Sequence, residues 1–246
     1  MHDEFDGDQL DRSVWLPHYL PAWSSLEASR ATYSVHDSCL DLFIPLDQGL
    51  WCPDEHEPPL RVSGVQTGNY SGPVQSTVGQ QPFRDGLRVR QEQEVFWGWT
   101  PRFGRIETTT RMWLSGRSMA SLWLVGREVA PEQCAEICVF EVFGSAISET
   151  AVEVGSGLHA FRDPDVPEDF ETTHLEIDVT EFHTYGATWT PESVTFDVDG
   201  VETRTCERPP TYPLQLMLAV FDFPESGTDA DRDHVPRLLV DRVSVS

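Results

Sequence analysis

An all-β fold of two antiparallel sheets packed face to face is expected from three features of the chain. Few stretches beyond about ten residues hold a helical apolar period. Short runs alternating apolar and polar residues, bounded by Gly, Pro, Asp and Asn, recur along the whole length. Several of these runs carry large apolar residues on one face and polar or aromatic residues on the other, as the two inner faces of a sandwich require. In chain order the expected strands are Cys39 to Ile44, Gly104 to Trp113, Ala120 to Val125, Ala135 to Phe143, Ala151 to His159, His183 to Thr190, Ser193 to Val198, Leu214 to Val220 and Leu238 to Ser244. Pro45 to Pro59 and Gln81 to Phe96, rich in Pro, Gln and charge, are expected as excursions, and acidic Phe221 to His234 as an exposed loop. No Gly/Ser/Pro linker separates two self-sufficient halves and no repeat is visible, so residues 1–246 are expected to form one domain.

The 246 residues carry 41 acidic and 17 basic side chains, a formal charge of −24. Such a surface repels polyphosphates and anionic bilayers, so neither nucleic acid nor membrane is an expected partner. All 17 cations are Arg and Lys is absent, which suits either solubility in concentrated salt or a GC-rich codon bias. No apolar run approaches the roughly 20 residues of a membrane helix. Met1 is followed by His2, Asp3 and Glu4 rather than a basic and then apolar stretch, so no export signal is expected there. Cys39, Cys52, Cys134, Cys138 and Cys206 form no C-x-x-C pair and are odd in number. They are expected reduced and buried, neither a disulfide framework nor a zinc site.

The strand with chemical interest is Ala135 to Phe143. Glu136 and Glu141 interrupt a run that is otherwise apolar or small, and ionisable groups in such a strand are expensive unless they face a cleft. Regular alternation sends 136 and 138 to one face and 141 to the other. One extra residue, a β-bulge at Val139-Phe140, returns Glu141 to the face of Glu136. The α-carbons then lie roughly 13 Å apart at about 3.3 Å per residue. On a sheet curved toward that face, extended side chains approach the roughly 5 to 5.5 Å used by retaining glycosidases. The spacing alone leaves open a strand whose outer face is merely solvated.

Residues Glu136 to Glu141 with Phe143-Gly144 resemble the bulged E-I-D-I-x-E…F-G signature of glycoside hydrolase family 16, the laminarinase and lichenase kind of β-glucanase. Further blocks are similar in the family's order: Asp3-Glu4-Phe5-Asp6-Gly7 through Leu10-Asp11 and Trp15; Phe103 to Glu107 through Arg111; Leu122 to Gly126; Phe182 to Tyr185 through Trp189-Thr190-Pro191; Val198-Asp199-Gly200; and Val240 to Val243. Several matches in one order weigh more than any motif alone.

The resemblance implies a concanavalin A-like jelly roll whose concave face carries the cleft, acting as a monomer on a polysaccharide, with Glu136 as nucleophile and Glu141 as general acid/base. It implies a retaining endo-β-glycosidase on a β-1,3- or mixed β-1,3/1,4-glucan. A transglycosylase and a non-catalytic glycan-binding module on the same scaffold remain alternatives. Family members commonly work outside the cell, so localisation stays open. Cys138 stands where the signature has Asp, removing a negative neighbour and a strong hydrogen-bonding group; a lower Glu136 pKa and a more acid pH optimum are one expected result. His159 is an auxiliary candidate, or a satisfied strand histidine. Trp123 matches the family's Trp beneath the sugar ring, with a core Trp as the plainer alternative. Trp97 and Trp99 sit in an aromatic-rich loop and are candidate sugar platforms, with Trp23 a weaker one. Met119 stands where the family often has a second Trp. Arg105 would pair with a cleft carboxylate or form an edge ion pair. No cofactor is expected, except that Asp241 matches a position contributing to a structural calcium site.

Overall fold

The computed structural model describes residues 1–246. The strands are β1 (His2–Asp3), β2 (Tyr33–His36), β3 (Cys39–Phe43), β4 (Arg61–Gln66), β5 (Gly68–Asn69), β6 (Phe96–Trp97), β7 (Gly104–Trp113), β8 (Ser118–Gly126), β9 (Glu136–Phe143), β10 (Val152–His159), β11 (Asp169–Leu175), β12 (His183–Trp189), β13 (Ser193–Val198), β14 (Val201–Glu207), β15 (Leu214–Asp222) and β16 (Arg237–Val245). Helix is confined to three short 3-10 turns. One sheet runs β14-β13-β12-β7-β16-β3-β2, with β1 paired to β16; the other runs β11-β10-β9-β8-β15-β4. All nine expected strands form, with ends shifted by at most two residues.

The period-2 pattern explains how the sheets meet. Leu40 and Leu42 of β3, Ile106 and Met112 of β7, and Tyr185 and Trp189 of β12 face Leu122 and Leu124 of β8, Ile137 and Phe140 of β9, and Leu216 and Leu218 of β15 in one core. The outward residues of β8 and β15 are also apolar, because loops cover them. Met119, Trp123, Met217, Ala219 and Phe221 pack with Trp23, Trp51, Leu60, Leu87 and Val89 in a second cluster. The roof is stitched to itself: the Trp23 indole N–H donates to the Gln80 carbonyl at 2.6 Å, and the Arg90 amide to the Ala22 carbonyl at 2.8 Å. Trp23 is therefore fully buried and is not a sugar platform. The loop expected from Phe221 starts two residues later. Phe221 and Asp222 finish β15, where the buried Asp222 carboxylate is held between the Arg61 and Arg117 guanidiniums. The roof reaches the outer face of β9 at Cys138, and a cavity opens there beside Glu136 and Glu141.

Candidate active site

The geometry of the site follows from one extra residue. Against β8, Phe140 pairs with Leu122 and Cys138 with Trp123, so Val139 has no partner. Against β10, Glu141 pairs with Gly155 and Cys138 with Gly157, with only Ser156 between them. Val139 and Phe140 both enter the inter-sheet core, and Glu136, Cys138 and Glu141 all line one cavity on the outer face. This is the bulge the sequence requires. Gly157 answers it across the strand pair at φ 144, and a Cβ there would meet the Asp169 carbonyl oxygen at 2.1 Å.

The cavity encloses about 310 Å³, at the small end of the about 300 to 1,000 Å³ typical of ligand pockets. Met119, Ser121 and Trp123 of β8 continue its floor, Tyr19, Trp51, His56 and Phe83 from the roofing loops form one wall, and Phe161 and Arg162 stand opposite. Trp123 lies across from Cys138 with Tyr19 and Phe221 edge-on or tilted beside it at 6.4 and 6.0 Å. Aromatic faces ringed by a few polar groups suit the apolar C–H faces and hydroxyl rim of a pyranose.

The two carboxylates differ in their surroundings. Glu136 is 8 % exposed, and the Gln81 side-chain amide donates to its Oε1. Burial, followed by the charges of Glu141, Glu128 and Glu168, outweighs the Gln81 bond and pushes Glu136 up to about 8. Burial dominates here, outweighing the contribution of any single neighbouring charge. Glu141 is half-buried and accepts no hydrogen bond from the protein; burial raises it too, opposed by His159. Burial and the charges of Glu141 and Glu136 keep the Cys138 thiol protonated, and its neighbour is the Ser121 hydroxyl at 3.9 Å. His159 pairs with Glu136 across β9 and β10 and stacks on Phe170 at 4.6 Å. Its Nδ1 is 2.7 Å from Glu168 Oε1, while its Nε2 is unpartnered within the protein.

Three expected substrate-binding residues lie elsewhere. Arg105 belongs to β7 on the opposite sheet, where its guanidinium donates to both Asp197 oxygens at 2.7 and 3.0 Å and to Glu107 at 3.0 Å; it is an ion-pair residue. Trp99 packs on Trp15 at 5.7 Å, against the inter-sheet core. Trp97 sits in the β5–β6 ribbon beneath the Arg127 guanidinium, 4.2 Å away. Neither tryptophan lines the cavity. Asp241 is the extra residue of a β16 bulge, and no group of three or more His, Cys, Asp or Glu side chains is placed to hold a metal.

Nothing in the sequence marks Glu128 or Arg162, and Gln81 and Trp51 fall in the expected excursions. Glu128 is deeply buried after β8, accepts from the Gln81 backbone N–H at 2.6 Å and pairs with Arg162 at 2.7 Å. Burial above all raises it to about 7. These groups converge from three separate loops, and nothing local marks such convergence.

Residues 99–233 match the family model "Glycosyl hydrolases family 16". No curated protein sequence matches the chain. Among solved structures, a GlcNAcα1-4Gal-releasing endo-β-galactosidase from Clostridium perfringens superposes with TM-score 0.83 at 24 % identity. All of this chain is covered there but 61 % of that one, so the chain spans about three-fifths of that protein's length. The catalytic domain of an endo-1,3-β-glucanase (laminarinase) from Thermotoga petrophila RKU-1 gives 0.68 at 16 % identity, covering 99 % and 94 %. An endo-β-1,3-glucanase from Pyrococcus furiosus gives 0.66 at 16 %, covering 99 % and 91 %. At such identities the superpositions establish the shared jelly-roll fold, and the family model, matching more than half of the sequence, establishes the lineage: the chain belongs to glycosyl hydrolases family 16.

Proposed function

We propose that the protein is a retaining endo-β-glycosidase acting on a polysaccharide, with Glu136 as nucleophile and Glu141 as general acid/base. The observation that carries this is the bulge at Val139, which puts two glutamates of one strand into one aromatic-floored cavity. Their hydrogen bonding supports the division of labour, while burial, which raises Glu136 up to about 8, opposes its charged form in the substrate-free protein. Glu136 is oriented by a donated hydrogen bond, as attack on an anomeric carbon needs, whereas Glu141 has both oxygens free to reach a leaving-group oxygen. In the first step Glu136 bonds the anomeric carbon while Glu141 gives its proton to the departing oxygen. In the second, Glu141 takes a proton from water, whose oxygen displaces Glu136 and restores the original configuration.

Ionised Glu136 and protonated Glu141 must coexist. Burial raises both carboxyls, Glu136 up to about 8 and Glu141 in the same direction, so the acid limb of activity is expected above the ordinary carboxylate range, with apparent values that belong to the coupled pair.

A β-1,3- or β-1,3/1,4-glucan fits the resemblance of the sequence blocks. A β-galactoside is the second reading, favoured by the higher superposition on the C. perfringens endo-β-galactosidase, 0.83 against 0.68 for the laminarinase domain. The test is a panel of laminarin, lichenan, β-galactan and glycans ending in GlcNAcα1-4Gal, followed by reducing-end release and by NMR of the first-formed anomer. Retained configuration is expected, with turnover falling roughly 10³-fold or more in Glu136→Gln. Equal release by wild type and variant, or an inverted first product, defeats the proposal. Glycan binding without release by either would leave a binding module, and oligosaccharides longer than the substrate would mark a transglycosylase.

A further inference from the structure

The Glu136 carboxylate has one hydrogen-bond partner in the protein, and it comes from a loop rather than from β9. Gln81 donates through Nε2 to Glu136 Oε1, while its own backbone N–H donates to Glu128 Oε1 at 2.6 Å. Glu128 is fixed by Arg162, whose Nη2 donates to its other oxygen at 2.7 Å. The preceding residue is anchored too, since the Gln80 carbonyl accepts from the Trp23 indole. Gln81 holds φ 46, a left-handed conformation that costs a non-glycine residue roughly 1 kcal/mol or more and persists only where the surroundings impose it. No neighbour on the strand does the same work: the Cys138 thiol lies against Ser121, and His159 bonds Glu168.

We propose that Gln81 is the positioning residue of the reaction: clamped by Glu128 and Arg162, its amide fixes the Glu136 carboxylate in the attacking orientation and favours its charged form. The orientation claim rests on Glu136 being the nucleophile; the claim on its charge does not. The charged and titratable groups facing Glu136 are Glu141 and the Cys138 thiol on its own strand, Glu168 with His159 on the β10 side, Glu128 with Arg162 beyond β8, and Tyr19 from the roof. Among these groups Gln81 is the neutral donor in direct contact.

Gln81→Met keeps the length and apolar stem of the side chain and removes the donor. A bond to a charged group of the usual strength corresponds to a loss of roughly 10- to 100-fold in kcat. KM should change much less, and the acid limb of the pH profile should move upward by about one unit. A ¹³C NMR titration of the Glu136 side-chain carboxyl in the substrate-free protein should show the same upward shift. If Glu136 titrates identically in both proteins and the limb stays put, Gln81 only packs its loop and the inference is overturned, whatever happens to the melting temperature. If wild type releases sugar from no glycan, the hydrolase assignment fails, and the titration still decides whether Gln81 governs Glu136.

Discussion

At the level of single side chains, the site keeps a carboxyl group in a place that disfavours its charge. Glu136 is protonated more readily in the folded chain, at about 8, than in the unfolded one near 4.5. A raised carboxyl pKa costs no stability below the unfolded value, and the cost grows as pH rises through 4.5 and levels off above 8. Glu136→Gln should therefore raise the melting temperature at pH 8 and leave it nearly unchanged at pH 4. For a chain of this size each 1 kcal/mol gained is roughly 2–4 °C; scanning calorimetry at both pH values checks the sign, and an equal shift at both would exclude the linkage. Trp123→Ala should raise KM by about 10-fold or more if the ring carries a sugar face, stacking of this kind being worth on the order of 1–2 kcal/mol. Arg105→Ala should leave turnover unchanged and cost about 1 kcal/mol or less, since its ion pairs are partly exposed on the far sheet. Glu136 and Glu141 are legible because they interrupt one apolar strand, and Trp123 because it lies in a family-like block on the neighbouring strand β8. For Arg105 the sequence leaves a cleft carboxylate and an ion pair both open, because alternation tells which face of a sheet a residue takes but not which sheet it is in; the structure has the ion pair.

Among the elements, the decisive one is β9 with its additional residue. Without the bulge, plain alternation of the same residues would turn Glu141 into the inter-sheet core, where an uncompensated carboxylate costs several kcal/mol; deleting Val139, the unpaired residue, should instead keep Glu141 on the cavity face. The strands absent from the sequence-based expectation, apart from the two-residue pairings, share physical causes. β2, β11 and β14 are edge strands with largely half-exposed or exposed residues, so neither face imposes an apolar rhythm. β4, Arg-Val-Ser-Gly-Val-Gln, is buried throughout, because roof and core both cover it; burial on two faces erases alternation just as exposure on two faces does. The roofing loops are built by contacts between segments tens of residues apart, such as Ala22 with Arg90, and these leave no local period to find.

For the molecule as a whole, a formal charge of −24 means that carboxylates far outnumber the arginines available to pair them. Their mutual repulsion reaches about 10 Å at 0.1 M salt and about 3 Å at 1 M. Raising sodium chloride across that range should stabilise the fold by about 1–2 kcal/mol, read as a rise of roughly 2–8 °C in melting temperature, whereas a flat or falling curve would show that the charges are already spaced beyond interaction. The tryptophans are distributed with equal consequence. Trp15, Trp23 and Trp189 are sealed in packed interiors, Trp97, Trp99 and Trp113 lie away from the cavity, and Trp123 and Trp51 border it. A saccharide laid on that floor would change the surroundings of Trp123, the more exposed of the two bordering indoles at 7 % against 1 % for Trp51, against the background of the six rings that do not line the cavity. The protein thus carries its own optical gauge of occupancy, readable without label in a turnover-deficient variant and silenced by Trp123→Phe.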